Sequence, residues 1–130
     1  MATIDDALYE LSKADSGLAA LISDRVYPDL LPEGVTFPAM TFQEISLTPI
    51  YSQDGDSHLD TSRYQFDCYA VTRSGSRAVA DALRSLLSGK RTSQSGFAIH
   101  SAFLANALSG YETGLNAWRY TVDYMISYSW

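Results

Sequence analysis

The sequence is poor in cysteine and in long apolar runs. Cys68 is the single cysteine among 130 residues, so an internal disulfide is excluded and a reducing cytoplasm is compatible with folding. No apolar run reaches the length of about 18 residues that a membrane helix needs, and Asp5, Asp6 and Glu10 interrupt the start of the chain, where a secretion leader would be apolar. We therefore expect one soluble, cytoplasmic domain over residues 1–130.

Basic residues are also few. Nine Lys and Arg stand against fifteen Asp and Glu, which gives a formal charge of −6, and the sequence contains no run of basic residues. Binding to nucleic acid needs a basic footprint that neutralises phosphates, so tight or sequence-specific DNA binding is not expected. An acidic wall can still face DNA that must not adhere to it.

Residues with the chemistry of an active site are scarce. The two histidines, His58 and His100, are far apart in the sequence, and no serine lies in a G-x-S-x-G motif. Cys68 falls on the apolar side of an alternating segment, where a thiol behaves as a small hydrophobe. The sequence thus predicts no catalytic residues and no enzyme.

The segment from Asp54 to Asp60 is the sharpest candidate ligand site. Asp54, Asp56 and Asp60 provide oxygen ligands at alternate positions, which can wrap a calcium ion, so a small ligand- or calcium-binding module is the alternative function of this chain. The glycine is misplaced for an EF-hand loop, however, and Gln65 stands where the closing glutamate belongs. We expect a solvated loop with no metal and no cofactor. Because residues 49–61 are rich in Asp, Ser and Gly, this segment is predicted to be a mobile arm.

The last stretch of the chain has the clearest period. Every even position from 118 to 130 is aromatic or β-branched, whereas the odd positions are mostly polar. This alternation predicts a strand with one buried face. A strand of this length needs paired neighbours and a layer that covers its apolar face.

Two helical regions can provide that layer. Apolar residues at helical spacing predict a helix over 3–13 that restarts at Asp15 or Ser16. A second amphipathic helix is predicted to begin at Ser74 or Ser76.

Three further segments are predicted to pair with the last strand. The first begins at Pro38, and a bulge near Glu44 or an edge position would explain why its alternation breaks there. The other two cover 63–71 and 97–103. The order α-β-β-α-β-β predicts an α+β fold, with two helices packed on one face of a four-stranded, mainly antiparallel sheet in a permuted ferredoxin-like arrangement. In that arrangement the second and fourth strands lie at the centre, and the first and third lie at the rims.

Several segments, taken in order, carry a family resemblance. They are Asp24–Pro28, Pro38–Gln43, Thr48–Pro49 with the arm that closes at Leu59–Asp60, Tyr64–Ala70, the helix that follows, and Tyr111–Leu115. In this order the chain resembles the tail terminator or tail-completion proteins of long-tailed bacteriophages and gene transfer agents, a group that includes a domain of unknown function common in prophages.

The resemblance implies a structural virion protein without catalytic residues. In such a protein six copies form a ring that caps the tail tube, stops its growth and joins the tail to the head connector or stopper protein. DNA passes through the lumen without specific binding. The implied location is the head-proximal end of the virion tail, after assembly in the host cytoplasm, and no membrane is involved.

Overall fold

The computed structural model describes residues 3–52 and 55–130. Within these ranges the elements are α1 (Ile4–Ala14), α2 (Ser16–Ile22), β1 (Val26–Pro28), β2 (Ala39–Ser52), β3 (Gly55–Ala70), α3 (Arg73–Leu87), β4 (Thr92–Gln94), β5 (Phe97–Glu112) and β6 (Ala117–Ser129). None of the described helices is both long enough and apolar enough to cross a bilayer.

Side-chain caps determine where α1 and α2 begin. Thr3 and Asp6 form a reciprocal capping box, in which each side chain accepts a hydrogen bond from the other residue's backbone N–H. Asp15 lies just after α1 and accepts from the N–H of Leu18 at 2.9 Å, so the same residue ends one helix and starts the next.

The third helix begins slightly earlier than predicted and packs on the sheet. Thr72, rather than Ser74 or Ser76, is its N-cap. Val79 and Leu83 are fully buried on the face that contacts β3 and β6. The amphipathic pattern of this segment therefore predicted its buried face better than its first residue.

The strands form a single sheet in the order β1-β2-β3-β6-β5-β4. β1 and β2 are parallel, and the other neighbouring pairs are antiparallel. Tyr64 and Tyr124 pair across the two central strands, and Phe66 contacts Tyr124 edge-on at 5.9 Å between ring centres. These rings are fully buried and form the centre of the core beneath the helices.

The predicted fold class is wrong. The described residues form a six-stranded mixed sheet with three helices, not a four-stranded, mainly antiparallel sheet with two helices. The missed strands, β1 and β4, have three residues each, too few to show an alternating period. They flank β2 and β5, which are therefore not the outermost strands, whereas the central positions of β3 and β6 agree with the prediction.

The segment 49–61 belongs to a long β-ribbon. β2 and β3 remain paired as far as Ser52 and Gly55, with residues 53–54 outside the described ranges. The bulge predicted near Glu44 is confirmed by a register shift between Glu44 and Ser46. Extended pairing replaces the loop that the composition predicted, and the mobility of this segment stays a prediction.

Candidate assembly surface

The two histidines and the cysteine lie at separate places in the sheet. The Nε2 atom of His100 is 2.8 Å from the hydroxyl oxygen of Ser129, and the ring of His58 contacts the ring of Trp130 edge-on. Cys68 is fully buried, and this burial, together with the nearby Asp67 carboxylate, raises the pKa of its thiol. His100 and Ser129 thus form one exposed histidine–serine pair, and the contacts found for His100 among the described residues include no carboxylate that would orient its ring.

The three candidate metal ligands are only partly described. Asp54 lies outside the described residues, and Asp56 is placed by its backbone, opposite Tyr51 in the β2–β3 ladder. Asp60 is buried, between Pro49 on one neighbouring strand and Tyr128 on the other. Among the described residues no three His, Cys, Asp or Glu side chains form a group that could hold a metal ion.

The sheet face turned away from α3 is polar at its centre, and its polar groups are paired across strands. Arg63 forms an ion pair with Asp123 at 2.6 Å, and the hydroxyl of Thr121 donates to Asp67 at 2.6 Å. Such pairs rigidify the two central strands and reduce the charge that this face offers to a partner.

A second polar group joins α1 to the sheet. The buried Tyr64 hydroxyl donates to Asp5, and burial followed by this bond raises the pKa of Tyr64. The Ser62 hydroxyl donates to Glu44 at 2.9 Å and lies 3.1 Å from the hydroxyl of Tyr128. These bonds fix the base of the β2–β3 ribbon, which we define as residues 43–52 and 55–62.

One side of the sheet has a long edge at β2. β1 pairs only with Met40–Phe42, so among the described residues no strand lies beside β2 from Gln43 to Pro49. Large apolar side chains are exposed here, including Ile45 and Leu47, with Tyr51 67% exposed near the tip. Pro49 and the bulge at Ile45 are features that discourage unspecific pairing of an edge strand.

The other side of the sheet has a comparable edge at β5. β4 pairs only with Phe97–Ile99, so among residues 3–52 and 55–130 no strand lies beside the β5 edge from 103 to 112. Phe103 is 63% exposed there, and Leu108 and Tyr111 are also exposed. Exposed apolar groups on two different edges mark two candidate assembly surfaces on one subunit.

Comparison with known families decides what kind of protein presents these surfaces. A family model described as "Tail completion protein gp17" matches residues 6–129. The chain belongs to this family. The resemblance seen in the sequence is thereby confirmed.

The fold of this tail completion protein also occurs in solved structures. A chain of the "virion of native gene transfer agent (GTA) particle" matches with a TM-score of 0.79 and 16% identity, over 95% of this chain and 92% of that chain. A second solved structure, without a functional description, matches with a TM-score of 0.59 and 16% identity, over 97% and 92% of the two chains. Sequence comparison with curated proteins finds no match.

Family membership establishes the general role. The tail completion protein is a structural component of a phage-type virion tail, and it assembles with other tail or head proteins. The family is one of structural proteins and is not typically enzymatic.

The net charge of the tail completion protein comes from one continuous part of the sequence. Residues 26–62 contain six Asp and Glu and no Lys or Arg, whereas the rest of the chain has nine residues of each sign. Residues 63–130 alone carry seven basic and four acidic residues. The described acidic residues of 26–62 lie on β2, on the outer part of β3 and in the loop after β1, whereas most of the basic residues lie on α3, which packs over β3 and β6, and in the turn before β4.

The fold also brings together basic residues that sequence analysis missed. Arg73 and Arg77 of α3 line a groove with Leu108 of β5 and Tyr120 of β6. The spacing of Arg73 and Arg77 by one helical turn is a signal in the sequence, but it does not show which strand they approach. The sequence has no run of basic residues, and the fold nevertheless forms a basic groove.

Proposed function

We propose that this tail completion protein forms a hexameric ring on the end of the tail tube. The ring stops tube growth, joins the tail to the head connector or stopper protein at the head-proximal end, and lets DNA pass. The observation that carries this proposal is the pair of exposed apolar edges on different sides of one sheet, at β2 and β5. Family membership supports the tail context.

Two different surfaces on one subunit favour a head-to-tail contact. A contact between unlike surfaces repeats by rotation, and it closes into a ring when the rotation divides a full turn. A two-fold dimer would instead pair one surface with itself. The exposed side chains at the two edges differ, with Ile45, Leu47 and Tyr51 on one and Phe103, Leu108 and Tyr111 on the other.

The charge of the ring is compatible with DNA passage. Six copies at −6 each carry a formal charge of −36. Carboxylates that line the lumen would repel phosphates within about one Debye length, roughly 8 Å at physiological salt. DNA would then move through the lumen without adhering to its wall.

Electron microscopy of the purified protein with isolated tail tubes tests this proposal. We expect a six-fold ring at one end of each tube and no further tube growth in the presence of added tube protein. Native mass spectrometry determines whether the ring forms before it meets the tube. Tubes that bind no ring, and that keep growing in the presence of the protein, would refute the proposed function.

A matched pair of surface variants links the ring to the β5 edge. Phe103→Ser removes an exposed apolar side chain from that edge, and Leu30→Ser removes one that is 81% exposed in a loop between β1 and β2. Phe103→Ser is expected to reduce ring formation at least tenfold, with Leu30→Ser as the control that assembles normally. Equal assembly of both variants would argue against a contact at this edge.

A further inference from the structure

A groove of about 680 Å³ lies between the first turns of α3 and the outer half of β5. Its lining includes Arg73 and Arg77 from the helix, Leu108 from the edge strand and Tyr120 from β6. Binding clefts commonly have volumes of about 300–1,000 Å³. The groove is therefore large enough to receive several side chains of another chain.

Aromatic rings support both arginines at the groove. The guanidinium carbon of Arg77 lies 5.0 Å from the centre of the Tyr120 ring, and that of Arg73 lies 6.0 Å from the Trp118 ring. Arg77 also pairs with Asp81 at 3.2 Å, whereas the ion pairs found among the described residues do not include Arg73. The groove thus presents at least one guanidinium that the described part of the subunit does not neutralise.

The position of Arg73 is electrostatically unfavourable for the isolated helix. Arg73 is the first residue of α3, where the free backbone N–H groups favour negative charge. The helix therefore gains nothing from a cation here. A partner that places a carboxylate at this position would stabilise the start of the helix.

The β2–β3 ribbon has the complementary chemistry. It contains three of the six carboxylates of residues 26–62, namely Glu44, Asp56 and Asp60, and no Lys or Arg. It also exposes Ile45, Leu47 and Tyr51, which can pack against the apolar lining of the groove. An acidic segment with exposed apolar and aromatic side chains matches a basic groove lined by Leu108 and Tyr120.

The ribbon and the groove lie at opposite ends of the sheet. The tip of the ribbon projects beyond the pair Leu59 and Ser129, where β6 ends. The groove is lined by Ala107, Leu108 and Ser109, which pair with β6 near its beginning. The ribbon therefore points away from the groove of its own subunit.

We propose that the basic groove of one copy receives the acidic β2–β3 ribbon of the next copy, a contact that rests on the ring assembly proposed above. The contact joins unlike surfaces, so it is heterologous, and in a closed ring every ribbon and every groove is used. Tyr51 packs toward Leu108 of the neighbour, and the carboxylates of the ribbon approach Arg73.

Crosslinking tests the contact directly. The double variant Tyr51→Cys with Ser74→Cys places one thiol on the ribbon and one at the groove, while Cys68 stays buried. A short bis-maleimide is expected to give a ladder of covalent oligomers up to six. The control pair Tyr51→Cys with Arg91→Cys, whose second site is exposed and outside the groove lining, is expected to give at least tenfold less product.

Charge reversal tests the role of Arg73. Arg73→Glu is expected to reduce crosslinking at least tenfold, with a melting temperature no lower than wild type because glutamate suits the first helical position. Arg91→Glu makes the same charge change at another exposed site and is expected to crosslink within twofold of the parent. Adding Asp56→Arg to Arg73→Glu is expected to restore crosslinking.

The outcomes distinguish this contact from the ring itself. A ring that forms without crosslinking, and is unaffected by Arg73→Glu, would overturn ribbon docking and leave the ring intact. A crosslinked ladder without a closed ring would support docking and contradict the ring. Arg73→Glu that weakens retention of duplex DNA, with crosslinking preserved, would assign the groove to phosphate contact and overturn docking.

Discussion

The core of the sheet contains several tyrosines, although purely apolar side chains have no hydroxyl group and are easier to bury. Tyr64, Tyr124 and Tyr128 are buried on the helix-covered face, and Tyr69 is partly buried on the other face. Burial is the largest cause that raises the pKa of each of these four phenols. Their rings stabilise the folded state only while the hydroxyl groups remain protonated.

This property predicts loss of stability in alkaline solution. Above the ordinary tyrosine pKa of about 10, the unfolded chain releases these protons while the folded chain retains them. The unfolded state then binds fewer protons, so the free energy of unfolding falls as pH rises. Below a pH of about 10, the contribution of these phenols to the free energy of unfolding does not change with pH. Melting temperatures between about pH 9 and 12, recorded with phenolate absorbance, check this.

Tyr64→Phe is the matched variant for this titration. It removes the phenol that donates to Asp5 and keeps the ring, so the decline of the melting temperature above about pH 10 is expected to be shallower than in wild type. A melting temperature of the wild-type protein that stays constant to about pH 12 would contradict the role given to the buried phenols.

Charge at the centre of the sheet is expected to prevent folding. Tyr124→Asp places a carboxylate at a fully buried position against Phe66, which combines a cavity cost of about 3–5 kcal/mol with an unpaired buried charge. We expect no cooperative melting transition for this variant. Tyr124→Phe keeps the volume without the charge and is expected to fold.

The partly buried Asp67 is the contrasting position on the other face. Asp67→Asn keeps an oxygen that can accept from the Thr121 hydroxyl, so the expected loss is about 1 kcal/mol or less by thermal or urea unfolding. Equal melting temperatures for Tyr124→Asp and Asp67→Asn would show that the assignment of the two faces is incorrect.

At the scale of whole elements, the sequence predicts strands where the period is unbroken. β6 alternates from Val122 to Tyr128, where the predicted even positions are buried, while Ala117 and Thr121 are buried nearer its start. β5 was predicted only as far as Phe103, and register shifts between Ile99 and Ser101 and between Leu104 and Asn106 interrupt its alternation, so that Ala102 is buried and Phe103 is exposed. The alternating period therefore predicts the length and the buried face of a strand reliably only where no bulge interrupts it.

The sequence predicts the candidate assembly surface less well than it predicts the strands. The order of short segments was enough to indicate the family, which the match over residues 6–129 confirms. The basic groove was not foreseeable, since Arg77 meets Leu108 and Tyr120 only through tertiary packing of α3 against β5 and β6. Local patterns carry no information on such distant pairings.

The β2–β3 ribbon is expected to be the least protected element of the isolated subunit. Its outer part pairs β2 with β3 beyond the end of β6, so it has no third strand and no helix above it, among the described residues. Hydrogen exchange measured by mass spectrometry should show faster exchange in peptides over 43–52 and 55–61 than over 63–70. Assembly should slow that exchange, and equal protection in both states would contradict ordering by a neighbour.

At the scale of the whole molecule, assembly through oppositely charged sides should weaken with salt. The acidic residues 26–62 and the basic groove would attract over distances that added salt screens, with a Debye length of about 10 Å at 0.1 M and about 3 Å at 1 M. The ring-forming fraction, measured by sedimentation velocity, is expected to fall between about 0.05 and 0.5 M NaCl. Assembly that strengthens over this range would indicate that apolar contacts dominate.

The uneven distribution of acidic and basic residues along the chain also gives each subunit an electric dipole. Identical dipoles related by a rotation axis have components perpendicular to that axis that sum to zero, so a complete circle has no lateral moment, while any arc with a missing member retains one. In the proposed ring, the residual moment of an incomplete arc would therefore orient the next subunit before it makes contact.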